Sequence, residues 1–215
     1  MIKISCTTLD FYRQYLVGKI KLEVLISKLK KEFKPSPAMN FGTQVHAILQ
    51  YPEKYLVVGG RGTVVGGRRM EDGEYYKTDL YNLDKDEIDE VIASLPKGEF
   101  EKNGEKEYLG MKLTGRSDLV TPNKIIDFKV TFKPIFMAMN DYEGSWQPKI
   151  YMNLFEKESF EYMFLQFNNK GRLVSRETLS ISAYQYDKYE FIKFIPQIIK
   201  VIETNNLIHL YDKEK

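Results

Sequence analysis

Thr114-Gly115-Arg116-Ser117-Asp118-Leu119-Val120-Thr121-Pro122-Asn123-Lys124-Ile125-Ile126-Asp127-Phe128-Lys129-Val130 reads as the end of one β-strand, a turn and the start of another. The strands run about Met111–Val120 and Lys124–Thr131, divided by Pro122-Asn123. Paired antiparallel about that turn, Thr121 faces Lys124, Leu119 faces Ile126 and Asp118 faces Asp127. Directly opposed residues have Cβ atoms about 4.5–5.5 Å apart. Strand side chains alternate, so Asp127 and Lys129 share one face while Ile126, Phe128 and Val130 share the other. One face thus carries two carboxylates and an ammonium, and the other is apolar and can enter a core.

Two carboxylates this close repel, and one is pushed toward protonation unless a cation sits between them. A divalent ion resolves the conflict, lowers the pKa of a bound water and neutralises charge on a phosphoryl oxygen. Lys129 could orient that water or stabilise developing charge. The arrangement suits phosphodiester hydrolysis better than sugar or acyl chemistry. Asp127-Phe128-Lys129 alone also reads as a solvated ion pair worth a fraction of a kcal/mol. The facing Asp118 brings the two readings level.

Working outward, Phe41 to Gln50 reads as a helix stopped near Pro52, with Gly42 and His46 four apart on one face. Gly42 lets a backbone approach closely. His46 then serves either as a metal ligand through a neutral ring nitrogen or as a partly buried helix histidine. A helix around Ser145–Phe155 places Gln147 and Tyr151 one turn apart, either binding a phosphate and bracing the site or merely facing solvent or the sheet.

The flanking segments give the frame. Thr7 or Thr8 caps a helix through about Val17, and Lys19 to Phe33 is apolar at helical spacing until Pro35-Ser36-Pro37 ends it. Tyr55–Val58 is strand-like and opens a glycine-punctuated stretch of short strands and loops. Asp84-Lys85-Asp86-Glu87 reads as a capping box opening a helix to about Leu95. Asn103-Gly104 signals a hairpin between Glu99–Lys102 and Glu105–Gly110. Phe160–Phe167 and Leu173–Ile181 form another hairpin, and a last helix runs from about Gln185 to Glu203. The fold class expected is α/β (α+β), a central mixed sheet flanked by helices, in one domain over 1–215. Its helical N-terminal part is 1–52 and its catalytic core about 98–182.

Composition narrows the chemistry. Cys6 is the only cysteine and His46 and His209 the only histidines, which excludes an internal disulfide and any four-cysteine zinc or iron–sulfur site. Any metal would need mostly oxygen ligands, which points to Mg2+ or Mn2+. The formal charge of +2 argues against wholesale coating of nucleic acid but permits a local basic face. No apolar run approaches the roughly 18 residues of a membrane span. The start lacks a signal-peptide layout, so an intracellular, cytoplasmic location is the expectation.

Taken in order, Gly42…His46, Gly115…Asp118, Asp127-Phe128-Lys129 and Gln147…Tyr151 resemble the RecB-like branch of the PD-(D/E)XK nuclease superfamily. The stretch Asn40 to Tyr55 resembles phage recombination exonucleases of the exonuclease VIII type. The likeness covers roughly residues 38 to 155. It implies a restriction-endonuclease-like core and a metal-dependent exonuclease acting on DNA in recombination or processing. Asp118, Asp127 and His46 would be metal ligands together with the Phe128 backbone carbonyl. Lys129 would be the catalytic lysine, and Gln147 and Tyr151 would support the site and contact DNA. Ser117 stands where the branch usually has proline. Relatives with an iron–sulfur cluster are disfavoured. A homo-oligomer or a single-strand-annealing recombination protein would be the natural partner. A structure-specific endonuclease and a catalytically idle DNA-binding or scaffolding protein are the alternatives.

Two stretches stay open. Gly59–Arg69, with Arg61, Arg68 and Arg69, is either a phosphate-contacting loop or a solvated hairpin, and Arg116 joins these as a DNA-contact candidate. The aromatic run Tyr184, Tyr186, Tyr189, Phe191 and Phe194 fits base stacking, core packing or a subunit interface.

Overall fold

The computed structural model describes residues 1–32, 34–70, 73–185, 187 and 189–211. Strand β1 (Ile2–Ser5) leads into α1 (Cys6–Leu16), α2 (Leu22–Leu29) and α3 (Pro37–Gln50). Ser5, not Thr7 or Thr8, caps α1, accepting from the Thr8 N–H. The second helix is shorter than its apolar spacing suggested: Gly18 at φ 73 precedes it and Lys31 at φ 60 follows it. Phe33 lies outside the described residues. Pro35-Ser36-Pro37 does more than end α2, because Ser36 caps α3 and Pro37 sits in its first turn, where a missing N–H costs nothing.

A lateral layer follows, with β2 (Leu56–Gly59), β3 (Val64–Val65), β4 (Arg68–Arg69), β5 (Gly73–Lys77) and β6 (Asn82–Asp84). Strands β2, β5 and β6 form one small sheet in that order, and β3 and β4 a separate hairpin. Gly66 and Gly67, at φ 56 and 80, make its two-residue turn. Asp84 then caps α4 (Lys85–Ser94), accepting from the Asp86 and Glu87 N–H groups. The reciprocal half of the expected capping box is diverted, since the Glu87 carboxylate holds Arg172 and the Leu173 N–H instead.

The remaining elements are β7 (Glu99–Tyr108), β8 (Met111–Val120), β9 (Ile125–Thr131), α5 (Ile135–Tyr142), α6 (Gln147–Leu154), β10 (Ser159–Phe167), β11 (Leu173–Ser182) and α7 (Ile195–Thr204). The central sheet runs β1-β8-β9-β10-β11, with β7 also on β8. Pairs β1–β8 and β9–β10 are parallel and the others antiparallel, so the sheet is mixed as expected. Asn103-Gly104 is not a turn. It lies inside β7, with Gly104 opposite Gly115, and the chain reverses at Leu109-Gly110, φ 48 and 77. Gly104 is there for packing: a Cβ would come 2.8 Å from the Phe155 ring.

Helices cover both faces of the sheet. One core gathers Leu9, Leu25, Ile150, Phe160, Phe164 and Ile198. The other gathers Phe41, Val45, Ile88, Ile126, Phe128 and Leu165. The period-two alternation of β9 and β10 sends successive side chains to opposite cores. The expected last helix is broken: Ala183–Gln185 and Glu190–Phe194 are 3-10 turns, and α7 starts only at Ile195, with Pro196 in its first turn. Phe191 and Ile195 are fully buried, as a packing role requires, while Tyr184 is 90% exposed. Tyr186 is not among the described residues. No described helix is long and apolar enough to cross a membrane.

Candidate active site

The site forms where β8 changes neighbours. One edge of β8 carries β7 from Met111 to Val120, the register skipping only Asp118 opposite Glu101, which stands at φ 51. The other edge pairs with β1 at Met111–Thr114 and with β9 only at Leu119 and Val120. Residues Gly115–Asp118 therefore face no strand on that edge. Backbone groups left open by such a gap need other partners. The Arg116 carbonyl accepts from the Tyr151 hydroxyl at 2.8 Å. Across the gap, the Phe128 N–H donates to Asp118 Oδ2 at 2.8 Å.

The register is the expected one, with Leu119 opposite Ile126 and Thr121 bonded to Lys124. The ladder ends one pair before Asp118 and Asp127, so the strands part and the Asp118 carboxylate turns into the opening. There it meets His46, whose Nδ1 lies 3.4 Å from Asp118 Oδ1. The imidazole also stands edge-on to the Phe128 ring, centroids 5.7 Å apart. Helix α3 thus supplies His46 from one face of the sheet. Gly42 packs over Val130, but a Cβ there would sit at 3.7 Å, an ordinary contact, so glycine is not required for the approach.

From the other face come α5 and α6. The Gln147 amide donates to Asp127 Oδ1 at 2.6 Å and its carbonyl accepts from the Tyr162 hydroxyl at 3.3 Å. Lys129 Nζ lies 2.5 Å from Asp127 Oδ2. It is also 4.7 Å from the Tyr142 ring centre and 5.4 Å from that of Tyr162. Tyr151 is buried, and its hydroxyl braces the β8 backbone at Arg116. Gly115 makes room for it: a Cβ would come 2.5 Å from the Tyr151 ring. Tyr142 and Tyr162 escaped the sequence reading because nothing in an aromatic-rich strand or helix marks which ring will lie over a lysine.

The environments of the two carboxylates are pushed apart. Burial raises Asp127 to about 6, with Asp118 adding to the rise and Lys129 opposing it. Burial also works upward on Asp118, but the His46 hydrogen bond and charge, then Lys129 and the Phe128 N–H, hold it below the usual range. Burial disfavours the His46 imidazolium, yet Asp118 and Asp127 prevail and its pKa is raised. Lys129 is likewise raised by Asp127 against the effect of burial, which keeps it an ammonium.

The donor set suits a hard cation in kind: two carboxylates, an imidazole and the carbonyl of Phe128. Asp127 Oδ2 is buried and accepts no directed hydrogen bond, leaving it only the Lys129 charge. In their present placement, no three His, Cys, Asp or Glu side chains among the described residues close around one point. The ammonium of Lys129 supplies positive charge beside Asp127 Oδ2.

The arginine candidates make none of these contacts with their side chains among the described residues. Arg68 and Arg69 form β4 and Arg61 precedes β3; all three are exposed. Gly66 and Gly67 set this hairpin against Arg172 and Lys170 of the β10–β11 turn. Arg116 is exposed and paired with Glu101 at 2.7 Å.

No protein-family model matches the chain, and no curated protein matches it by sequence. Solved structures do. The protein designated SSO0001 superimposes with a TM-score of 0.51 at 15% identity, over 94% of this chain and 76% of its own. A provisionally designated exonuclease from Eubacterium rectale gives 0.52 at 16% identity, over 94% of this chain and 82% of its own. At these identities the likeness establishes a shared fold.

Proposed function

We propose that the protein is a Mg2+- or Mn2+-dependent deoxyribonuclease, an exonuclease acting in DNA recombination or processing. The observation that carries this reading is the pairing of His46 with Asp118 and of Lys129 with Asp127 beside the parting of β8 and β9, in a fold shared with a structure provisionally designated an exonuclease. Residues from three separate stretches of chain converge on one opening, which a surface ion pair does not require.

Asp118, Asp127, His46 and the Phe128 carbonyl would hold the metal. A divalent ion bound there supplies an activated water and neutralises phosphoryl charge. The chain's own residues do the rest. Lys129 offers its ammonium to the charge that builds on the phosphoryl oxygens. Gln147 fixes the Asp127 carboxylate through Oδ1 and so would orient it as a metal ligand. Tyr151 holds the β8 backbone so that Asp118 keeps its place. The exposed Arg61, Arg68 and Arg69 are proposed contacts to DNA phosphates, positioning the duplex without reading its sequence.

Incubation of linear and closed circular DNA with Mg2+ or Mn2+ tests the proposal, beside Asp127→Ala and Lys129→Ala. Loss of linear DNA alone, absent in both variants, is expected of the exonuclease. Loss of circular DNA as well would make it an endonuclease. Intact DNA under both metals would leave a binding protein. Lys129→Ala should keep its Mn2+ affinity by calorimetry, and a lost affinity would contradict the role given to the ammonium.

A further inference from the structure

Asp10 lies on α1, far in sequence from every residue of the site, and its carboxylate is mostly buried. Its Oδ1 accepts from the Trp146 N–H at 2.9 Å, the Ser145 hydroxyl at 3.0 Å and Arg13 Nε at 3.1 Å. Its Oδ2 accepts from Gln14 Nε2 at 3.1 Å. The Ser145 oxygen in turn accepts from the Gln147 N–H at 3.2 Å.

The first N–H groups of any helix lack partners within it. In α6 the capping position is Trp146, whose own side chain offers no hydrogen bond. Asp10 and Ser145 together take the first two of these N–H groups. An anion at a helix N-terminus is also favoured by the helix dipole. The helix so capped starts with Gln147, the residue whose amide grips Asp127. A single chain of contacts therefore runs from Asp10 through Ser145 and the α6 N-terminus to Gln147 and Asp127. Trp146 stacks on Phe194, centroids 4.9 Å apart, which holds the start of α6 from the other side.

We propose that Asp10 is a positioning residue for the active site: it caps α6 from α1 and thereby fixes the Gln147 amide on Asp127. Its effect on catalysis rests on the nuclease reading, whereas its effect on Gln147 does not. Asparagine at position 10 keeps an oxygen that can accept from Trp146 and Ser145, while alanine keeps nothing.

The test combines Asp10→Ala, Asp10→Asn, Gln147→Ala and the Asp10→Ala/Gln147→Ala double variant. The readouts are cleavage kinetics with Mn2+ and the NMR signals of the Gln147 side-chain amide. Asp10→Ala should lower kcat by about tenfold or more and leave KM within about twofold, as loss of a residue supporting a site residue does. Asp10→Asn should recover most of that rate. On the Gln147→Ala background, Asp10→Ala should change kcat by less than about twofold, because its route is already cut. In Asp10→Ala the Gln147 amide signals should move to the position of solvent-exposed glutamines. Unmoved signals, or the full rate loss on the Gln147→Ala background, would overturn the proposal. Should Asp10→Ala fail to fold, Ser145→Ala carries the same test, and unshifted Gln147 signals there overturn it equally. If the signals shift as expected but the wild type cleaves no DNA, the nuclease reading falls and the positioning role stands.

Discussion

A carboxylate buried against an ammonium keeps its charge only at a cost, and Asp127 shows it in a pKa pushed up to about 6. Folded, it holds its proton to a higher pH than when unfolded. Its contribution to stability is therefore complete below the ordinary value of 3.8 and is lost as pH climbs through about 6. His46 has the same sign: its contribution is present below its ordinary 6.5 and lost as pH rises through its raised folded value. Asp118 has the opposite sign, its contribution present above 3.8 and lost as pH falls toward its depressed value. From about pH 5 to 8 the chelated protein should thus melt at progressively lower temperature, and Asp127→Asn should flatten much of the slope. Calorimetric melts in a chelator decide it, and a melting temperature that rises over this range would contradict it. The register that sets Leu119 opposite Ile126, and so brings Asp118 level with Asp127, was legible because strand alternation and a short turn leave one choice. The parting of the strands at that pair was not, because it depends on Tyr151 and the Phe128 N–H finding partners outside the ladder.

Glycines separate turns from close packing at the scale of the β7–β8 hairpin. Gly110 holds φ 77 in the true turn, so Gly110→Ala should cost about 1–2 kcal/mol through backbone strain alone. Gly104→Ala should cost about 1–3 kcal/mol by a different route, overpacking against Phe155. Asn103 is exposed, and Asn103→Ala should stay within about 0.5 kcal/mol. Urea denaturation of the three variants distinguishes this pattern from a turn at Asn103-Gly104, which would make Asn103→Ala costly. The dipeptide misled because a short-range turn signal and a demand for space under a helix both select glycine. The same limit hid the short β1, whose partner is a strand more than a hundred residues away, and the interruption before α7. By contrast β8, β9, β10, β11 and α4 announced themselves through local alternation or helical spacing.

At the scale of the whole molecule, a nearly neutral chain of net charge +2 exposes Arg61, Arg68 and Arg69 on and just before the β3–β4 hairpin. If Arg61, Arg68 and Arg69 meet DNA phosphates, their triple replacement by glutamine should flatten the dependence of log affinity on log salt by up to about three. Anisotropy of labelled duplex at several salt concentrations, in a metal that does not support cleavage, measures this slope. An unchanged slope would place the DNA elsewhere. The layered order of sheet and helices was readable from element types, but which helix covers which face was not, since that is settled by contacts between distant segments. One such contact bears on how the protein is made. The Asp10 carboxylate is synthesised 136 positions before the Trp146 N–H that it caps. A polypeptide still leaving the ribosome holds the imidazole and both acids before it holds α6 or β10. The hydrogen bond from Gln147 to Asp127 therefore forms only after α6 has been made, and until then the acid waits without it.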